Sequence, residues 1–182
     1  MEKILSILQN TKFPKTKRNN ISSSSIQSFC LGDVPYRGSK SCGSKTRGPS
    51  KYNERFKNLL DSLDSTINHL LPDFDYTTYQ ISKNVMCSPH IDKLNVGPSY
   101  TISLGDFTGG GLYIENILYN SHNKFLYFDG TKGHWTEPFV GDRYCIILFT
   151  HTFKPPPCNL HHITVRKNGL YKKDKLIKSY IK

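Results

Sequence analysis

The amino-acid sequence predicts a mainly β fold, a sandwich or barrel of short strands braced by one helix. Two observations carry this. Tyr52, Phe56, Leu59, Leu60, Leu63, Ile67, Leu70 and Leu71 recur at spacings of three and four, the period of one helix face. After Pro72 the period changes, and short β-rich runs follow at Tyr76 to Val85, Ser99 to Leu104, Leu112 to Glu115, Phe125 to Phe128 and Tyr144 to Thr150. Gly, Asn, Asp and Pro split these runs, and regularly spaced strands with turn chemistry between them build sandwiches and barrels.

Before the helix, residues 1–25 begin with a helix-like patch (Ile4, Leu5, Ile7, Leu8), turn basic and end in Ser22-Ser23-Ser24-Ser25, a run that cannot pack a core. This segment is expected to be a flexible basic arm. From Phe29 to Lys51 the chain is rich in Gly, Ser and basic residues with few apolar ones, so a surface loop is expected, and its 38–50 part can lie over an active site as a lid. Pro49-Ser50 opens the helix, with Ser50 as N-cap, and the helix runs from about Lys51 to Leu71. At the far end Pro155-Pro156-Pro157 stops the last strand. From Arg166 onward seven basic residues stand against Asp174 alone, which is either a solvated tail or a nucleic-acid-binding face. The expected organisation is an arm over 1–25, one domain over 26–155 and a basic tail over 156–182.

Composition narrows the function classes. The 182 residues are 36% hydrophobic and 12% aromatic, enough for one packed core and against wholesale disorder. No apolar run approaches the roughly 20 residues that cross a bilayer, and the first residues lack a cleavage site. Five cysteines, odd in number and never in a C-x-x-C pair, indicate neither a disulfide framework nor a zinc knuckle. The expectation is a soluble intracellular protein, cytoplasmic or nuclear, with no membrane partner. A net charge of +11 favours polyanions, so nucleic acid is the expected partner. An AT-rich coding bias yields the same abundance of Lys, Asn, Ile and Tyr without any selection for binding.

The chemistry concentrates between Asn84 and His151. His90-Ile91-Asp92 places an imidazole and a carboxylate one residue apart, so in extended chain both side chains face the same way. His134 follows after two or three strands, where closing a β sandwich brings it opposite the first pair. Two histidines and one carboxylate make a facial triad, which holds one face of an iron(II) ion and leaves the other positions open. Nine positions after His134, beyond the turn-like Pro138-Phe139-Val140-Gly141-Asp142, stands Arg143, whose planar guanidinium can clamp the far carboxylate of a dicarboxylic acid.

The stretch NVMCSPHIDKLNVGPSYTISLGDFTGGGLYI followed by FDGTKGHWTEPFVGDRYCIILFTH resembles the core of the 2-oxoglutarate- and iron(II)-dependent dioxygenases, and within them the TET/JBP-like branch. The likeness covers roughly residues 80 to 151 and leaves both termini unexplained. It implies a double-stranded β-helix, a jelly-roll or cupin-like barrel with the metal between its sheets. It also implies iron binding by His90, Asp92 and His134, a salt bridge from Arg143 to 2-oxoglutarate, and use of O2. Asn84, Asn95 and Ser99 match polar positions around the family's site, with Asn84 and Ser99 implied in cosubstrate binding. The family's frequent arginine-x-serine pair stands here as Arg143-Tyr144-Cys145, so one assisting hydroxyl is missing. Gly109-Gly110-Gly111 resembles the family's turn before an inward strand; by itself it reads as a hairpin loop, and no Lys-Ser or Lys-Thr follows to make it a phosphate cradle.

The triad does not need His122, His151, His161 or His162, which read as surface or strand-end residues. Cys87 and Cys145 read as small buried hydrophobes. Trp135 and Phe139 are either core aromatics or a surface for stacking a substrate ring. The function that follows from the resemblance is hydroxylation of a C–H bond, first of all in the methyl group of 5-methylcytosine or thymine in DNA or RNA. Two rivals remain: hydroxylation of a prolyl or lysyl side chain, with a peptide as partner, and a catalytically silent nucleic-acid-binding module.

Overall fold

Alternation of side chains along the central strands gives one large sheet two unlike faces, an apolar one under the helices and a polar one over a cavity. The computed structural model describes residues 1–16, 26–37, 45–151, 165–167 and 170–172. Two helices, α1 (Glu2–Gln9) and α2 (Lys57–Leu70), accompany strands in this order: β1 (Lys15–Thr16), β2 (Ile26–Arg37), β3 (Lys45–Pro49), β4 (Asp75–Tyr76), β5 (Thr78–Lys83) and β6 (Ser99–Gly109). Then come β7 (Leu112–Ile114), β8 (Ile117–Tyr119), β9 (Leu126–Phe128), β10 (His134–Thr136), β11 (Phe139–Phe149), β12 (Val165–Lys167) and β13 (Leu170–Lys172). The fold is mainly β. Seven strands make one sheet in the order β1-β2-β5-β11-β6-β9 with β3 on β2, three make a second in the order β10-β7-β8, and β13-β12-β4 form a small ribbon. The named pairings are antiparallel, and the sheets do not close into a barrel.

The register of β11 shows how the faces arise. Ile146 lies opposite Ile81 of β5 on one side and Ile102 of β6 on the other. Residues directly opposite in an antiparallel pair share a face. Tyr144, Ile146 and Leu148 therefore join Phe29, Leu31, Tyr79, Ile81, Ile102 and Leu104 in one apolar layer. Leu59, Leu63 and Ile67, one stripe of α2, complete this core with Ile4 and Leu8 of α1. The alternate residues of β11, namely Arg143, Cys145, Ile147 and Phe149, line the cavity on the other side.

Several elements differ from the sequence reading. The N-terminal patch is a helix whose Ile4 and Leu8 are buried in the main core, so residues 1–16 belong to the packed body and not to an arm; 17–25 lie outside the described residues. The expected surface loop is largely the β2–β3 hairpin, in which two of its few apolar residues, Phe29 and Leu31, are buried in the core. The 38–44 part of the expected lid lies outside the described residues. Helix α2 starts at Lys57, after turns over 51–56. Ser50 does not cap it; its hydroxyl donates to Cys30 O at 2.6 Å and accepts from the Tyr52 N–H at 3.2 Å, tying that turn to β2.

Cys30, Cys87 and Cys145 carry thiols, while Cys42, Cys158, His161, His162 and most of the basic tail lie outside the described residues. Among the described residues, no helix is long and apolar enough to cross a membrane. The docking of α1 is directly testable. Leu8→Ala is expected to lower unfolding stability by about 2–5 kcal/mol in urea denaturation, the usual cost of emptying a buried leucine site; a free arm would give no change.

Candidate metal centre

His90 sits in irregular chain after β5, yet its backbone is fixed. Its N–H donates to His134 O at 3.1 Å and the His134 N–H donates back to His90 O at 2.9 Å, an isolated antiparallel bridge onto the start of β10. Two residues on, the Asp92 N–H donates to Gly130 O at 2.8 Å. Backbone bonds thus seat both halves of the His-x-Asp pair against the chain that leads to His134.

The side chains converge. One ligand atom from each of His90, Asp92 and His134 lies within 4.8 Å of the others. Asp92 Oδ1 is 3.8 Å from His90 Nε2, and Asp92 Oδ2 is 3.8 Å from His134 Nε2. Such separations are too long for hydrogen bonds but suit donors around one ion, whose own bonds to nitrogen and oxygen are about 2.0–2.2 Å. The tautomers favour the same use. His90 Nδ1 is 2.8 Å from Ser88 O, and His134 Nδ1 is 2.8 Å from Lys132 O. A carbonyl can only accept, so each Nδ1 carries a proton, and in the neutral imidazole it is Nε2, on the side of Asp92, that holds the lone pair. Burial pushes His134 below the ordinary histidine pKa of 6.5, and the His90 imidazole adds to this. The Lys132 carbonyl and Asp92 pull the other way with less effect. Neutral imidazole is the metal-binding form.

Arg143 lines the same cavity and is 4% exposed. Its guanidinium carbon lies 5.4 Å from the Phe139 ring centre and 5.8 Å from that of Phe107. Its Nε is buried without a hydrogen-bond partner, and among the described residues no carboxylate pairs with it. Aromatic faces offset only part of the several kcal/mol that burying an unpaired ion costs. A carboxylate entering the cavity would supply such a partner. Gly110, at φ +72, makes room for this arrangement: a Cβ there would stand 2.9 Å from Arg143 Cδ and 3.0 Å from its Nε.

The other residues singled out in the sequence fall into place around this cavity. Asn84 and Ser99 do not line it. Asn84 holds the backbone of Arg143 (Arg143 N–H to Asn84 Oδ1, 2.7 Å), while buried Ser99 lies 3.5 Å from Asn95 Nδ2. Asn95 does line the cavity and donates to Asp92 Oδ2 at 3.3 Å. Trp135 lines it, half-buried, with its indole stacked on Tyr113 at 5.0 Å and 12°, whereas Phe139 packs against Arg143. His151, Cys87 and Cys145 also contribute to the lining; His122 instead reaches Gly105 O at 3.0 Å and packs on Phe107.

Sequence reasoning missed the polar floor made by Ser28, Gln80, Ser82 and Thr101. The signal was present in β5, where Gln80 and Ser82 alternate with the core residues Tyr79 and Ile81. No protein-family profile and no curated protein matches this chain.

Two outcomes follow from the geometry. Because the folded pKa of His134 is depressed, its contribution to stability is full above pH 6.5 and is lost as pH falls through the folded value. The melting temperature of the metal-free protein is expected to drop below pH 6.5, and to drop less in His134→Gln. Gly110→Ala is expected to displace Arg143 and weaken binding of small dicarboxylates by about tenfold in calorimetric titration, while metal affinity stays unchanged.

Proposed function

We propose that this protein is an Fe(II)- and 2-oxoglutarate-dependent dioxygenase of double-stranded β-helix type, most like the TET/JBP-like branch. The observation that carries the reading is one cavity holding both a two-histidine, one-carboxylate cluster whose Nε2 atoms face the carboxylate and a buried arginine with which no carboxylate pairs among the described residues. That combination suits a metal that must bind a carboxylate-bearing cosubstrate beside it. When bound, Fe(II) together with O2 and 2-oxoglutarate supplies the oxidising power for an unactivated C–H bond.

The protein's own residues do the rest. His90, Asp92 and His134 would hold the metal from one side, their orientation fixed by the backbone carbonyls of Ser88 and Lys132 and by Asn95. Arg143 would bind the distal carboxylate of 2-oxoglutarate through its planar fork, with Phe107 and Phe139 restricting the guanidinium. The apolar wall of Leu112, Phe128, Ile147 and Phe149 limits water around the reacting groups.

The substrate we propose is a methyl group on a nucleobase, 5-methylcytosine or thymine, in DNA or RNA. The sequence resemblance and the +11 charge support it, and Trp135 offers a planar, partly exposed surface at the cavity. Succinate release with Fe(II) and 2-oxoglutarate is expected from the wild type and is expected to fall by more than about a hundredfold in His134→Ala. Arg143→Lys, which keeps the charge and loses the fork, is expected to raise the KM for 2-oxoglutarate by about tenfold or more. Mass spectrometry of methylated DNA, unmodified DNA, RNA and peptide pools checks the substrate. A mass gain on peptides alone would favour a prolyl or lysyl hydroxylase, and no succinate under any condition would leave the nucleic-acid-binding module.

A further inference from the structure

We infer that Asn84 is a positioning residue for Arg143, a side-chain clamp that fixes where β11 delivers the guanidinium. The inference rests on the reading of Arg143 as the carboxylate-binding group. Up to Lys83, β5 pairs with β11 through backbone, Lys83 lying opposite Tyr144. At Asn84 the chain takes φ 52, a left-handed conformation that turns it away toward the loop carrying His90 and Asp92. The pairing nevertheless continues for one more residue. The Asn84 N–H donates to Arg143 O at 2.8 Å, and Asn84 Oδ1 accepts the Arg143 N–H at 2.7 Å. The side-chain carbonyl thus takes the place of the main-chain carbonyl that the turn carries off. Asn84 Nδ2 donates to Asp142 Oδ1 at 2.8 Å, so one side chain grips two consecutive residues of β11.

The residue type fits the task. Asparagine tolerates the left-handed region better than most residues, and its amide offers an acceptor and donors together. On its other side Arg143 lies opposite Gly105 of β6, so its backbone is held from both flanks. Asn84 does not line the cavity, so its influence on a ligand must pass through Arg143. The metal ligands have anchors of their own, the His90–His134 bridge and the Asp92–Gly130 bond, which do not involve Asn84. Loss of the clamp should therefore separate cosubstrate binding from metal binding.

The test uses the full chain loaded with Mn(II) and titrated calorimetrically with 2-oxoglutarate. Asn84→Gly deletes the clamp while keeping a residue that adopts positive φ readily. It is expected to weaken 2-oxoglutarate by about tenfold and to leave Mn(II) affinity within about twofold. Asn84→Asp alone sets a carboxylate against Asp142 and is expected to be as weak. Asn84→Asp combined with Asp142→Asn rebuilds both bonds with exchanged partners and is expected to restore most of the affinity. Wild-type 2-oxoglutarate affinity in Asn84→Gly, joint loss of Mn(II) and 2-oxoglutarate, or no recovery in the double variant would each overturn the inference. A wild type that binds Mn(II) but no 2-oxoglutarate would overturn the cosubstrate reading as well, which distinguishes that failure from one confined to Asn84.

Discussion

The register of β11 between β5 and β6 is the constraint on which the rest of the molecule depends. Strand side chains alternate with a period of two, so a slip of one residue would move every side chain to the opposite face. In the observed register Tyr144, Ile146 and Leu148 enter the core under the helices, while Arg143, Cys145, Ile147 and Phe149 enter the cavity. The slipped register would bury the Arg143 guanidinium among leucines and isoleucines, at a cost of several kcal/mol. Hydrophobic burial on one face thus fixes the geometry of the polar groups on the other. The apolar rows Ile81–Ile146–Ile102 and Tyr144–Leu104 hold the sheet in the alignment that aims Arg143.

The candidate metal centre is built on a different principle, backbone pairing outside regular strands. His90 and His134 exchange N–H···O bonds, and each imidazole is then oriented by the carbonyl two residues before it, Ser88 or Lys132. This repeated local device sets both tautomers without any partner from elsewhere in the fold. It brings the partly exposed Asp92 carboxylate to 3.8 Å from the Nε2 atoms of both imidazoles, one of which is buried. The same cavity holds the Arg143 guanidinium, with which no carboxylate pairs among the described residues. Ligands that bind at the two places would stabilise the folded chain by linkage.

The His90-x-Asp92 pair was legible because it is local, while His134 was joined to it through the resemblance and the expected closing of the sheets; one ligand atom of each of the three lies within 4.8 Å of the others. The helix stripe from Leu59 to Ile67 and five of the strands were legible through period, also a local signal. What escaped needed tertiary information. The Phe29–Lys51 stretch looked like loop because glycine and serine outnumber apolar residues, yet its two core residues face inward from β2. The Pro138–Asp142 stretch looked like a turn, but β11 begins at Phe139 and runs straight through it, paired along β6. β8 was invisible because its hairpin turns on Glu115-Asn116, both at positive φ, without the glycine that usually announces such a turn. Asn84 was singled out for the right neighbourhood, but its contact is with the Arg143 backbone, which composition and spacing cannot display.

The most direct test of the central claim is X-ray absorption spectroscopy of the Fe(II)-loaded protein under anaerobic conditions, before and after addition of 2-oxoglutarate. One iron per chain with two imidazole ligands is expected, its remaining coordination shell changing when 2-oxoglutarate binds, and one imidazole lost in His134→Ala. Iron that shows no imidazole scattering, or a shell that 2-oxoglutarate leaves untouched, would contradict the proposal that His90, Asp92, His134 and Arg143 serve one iron centre.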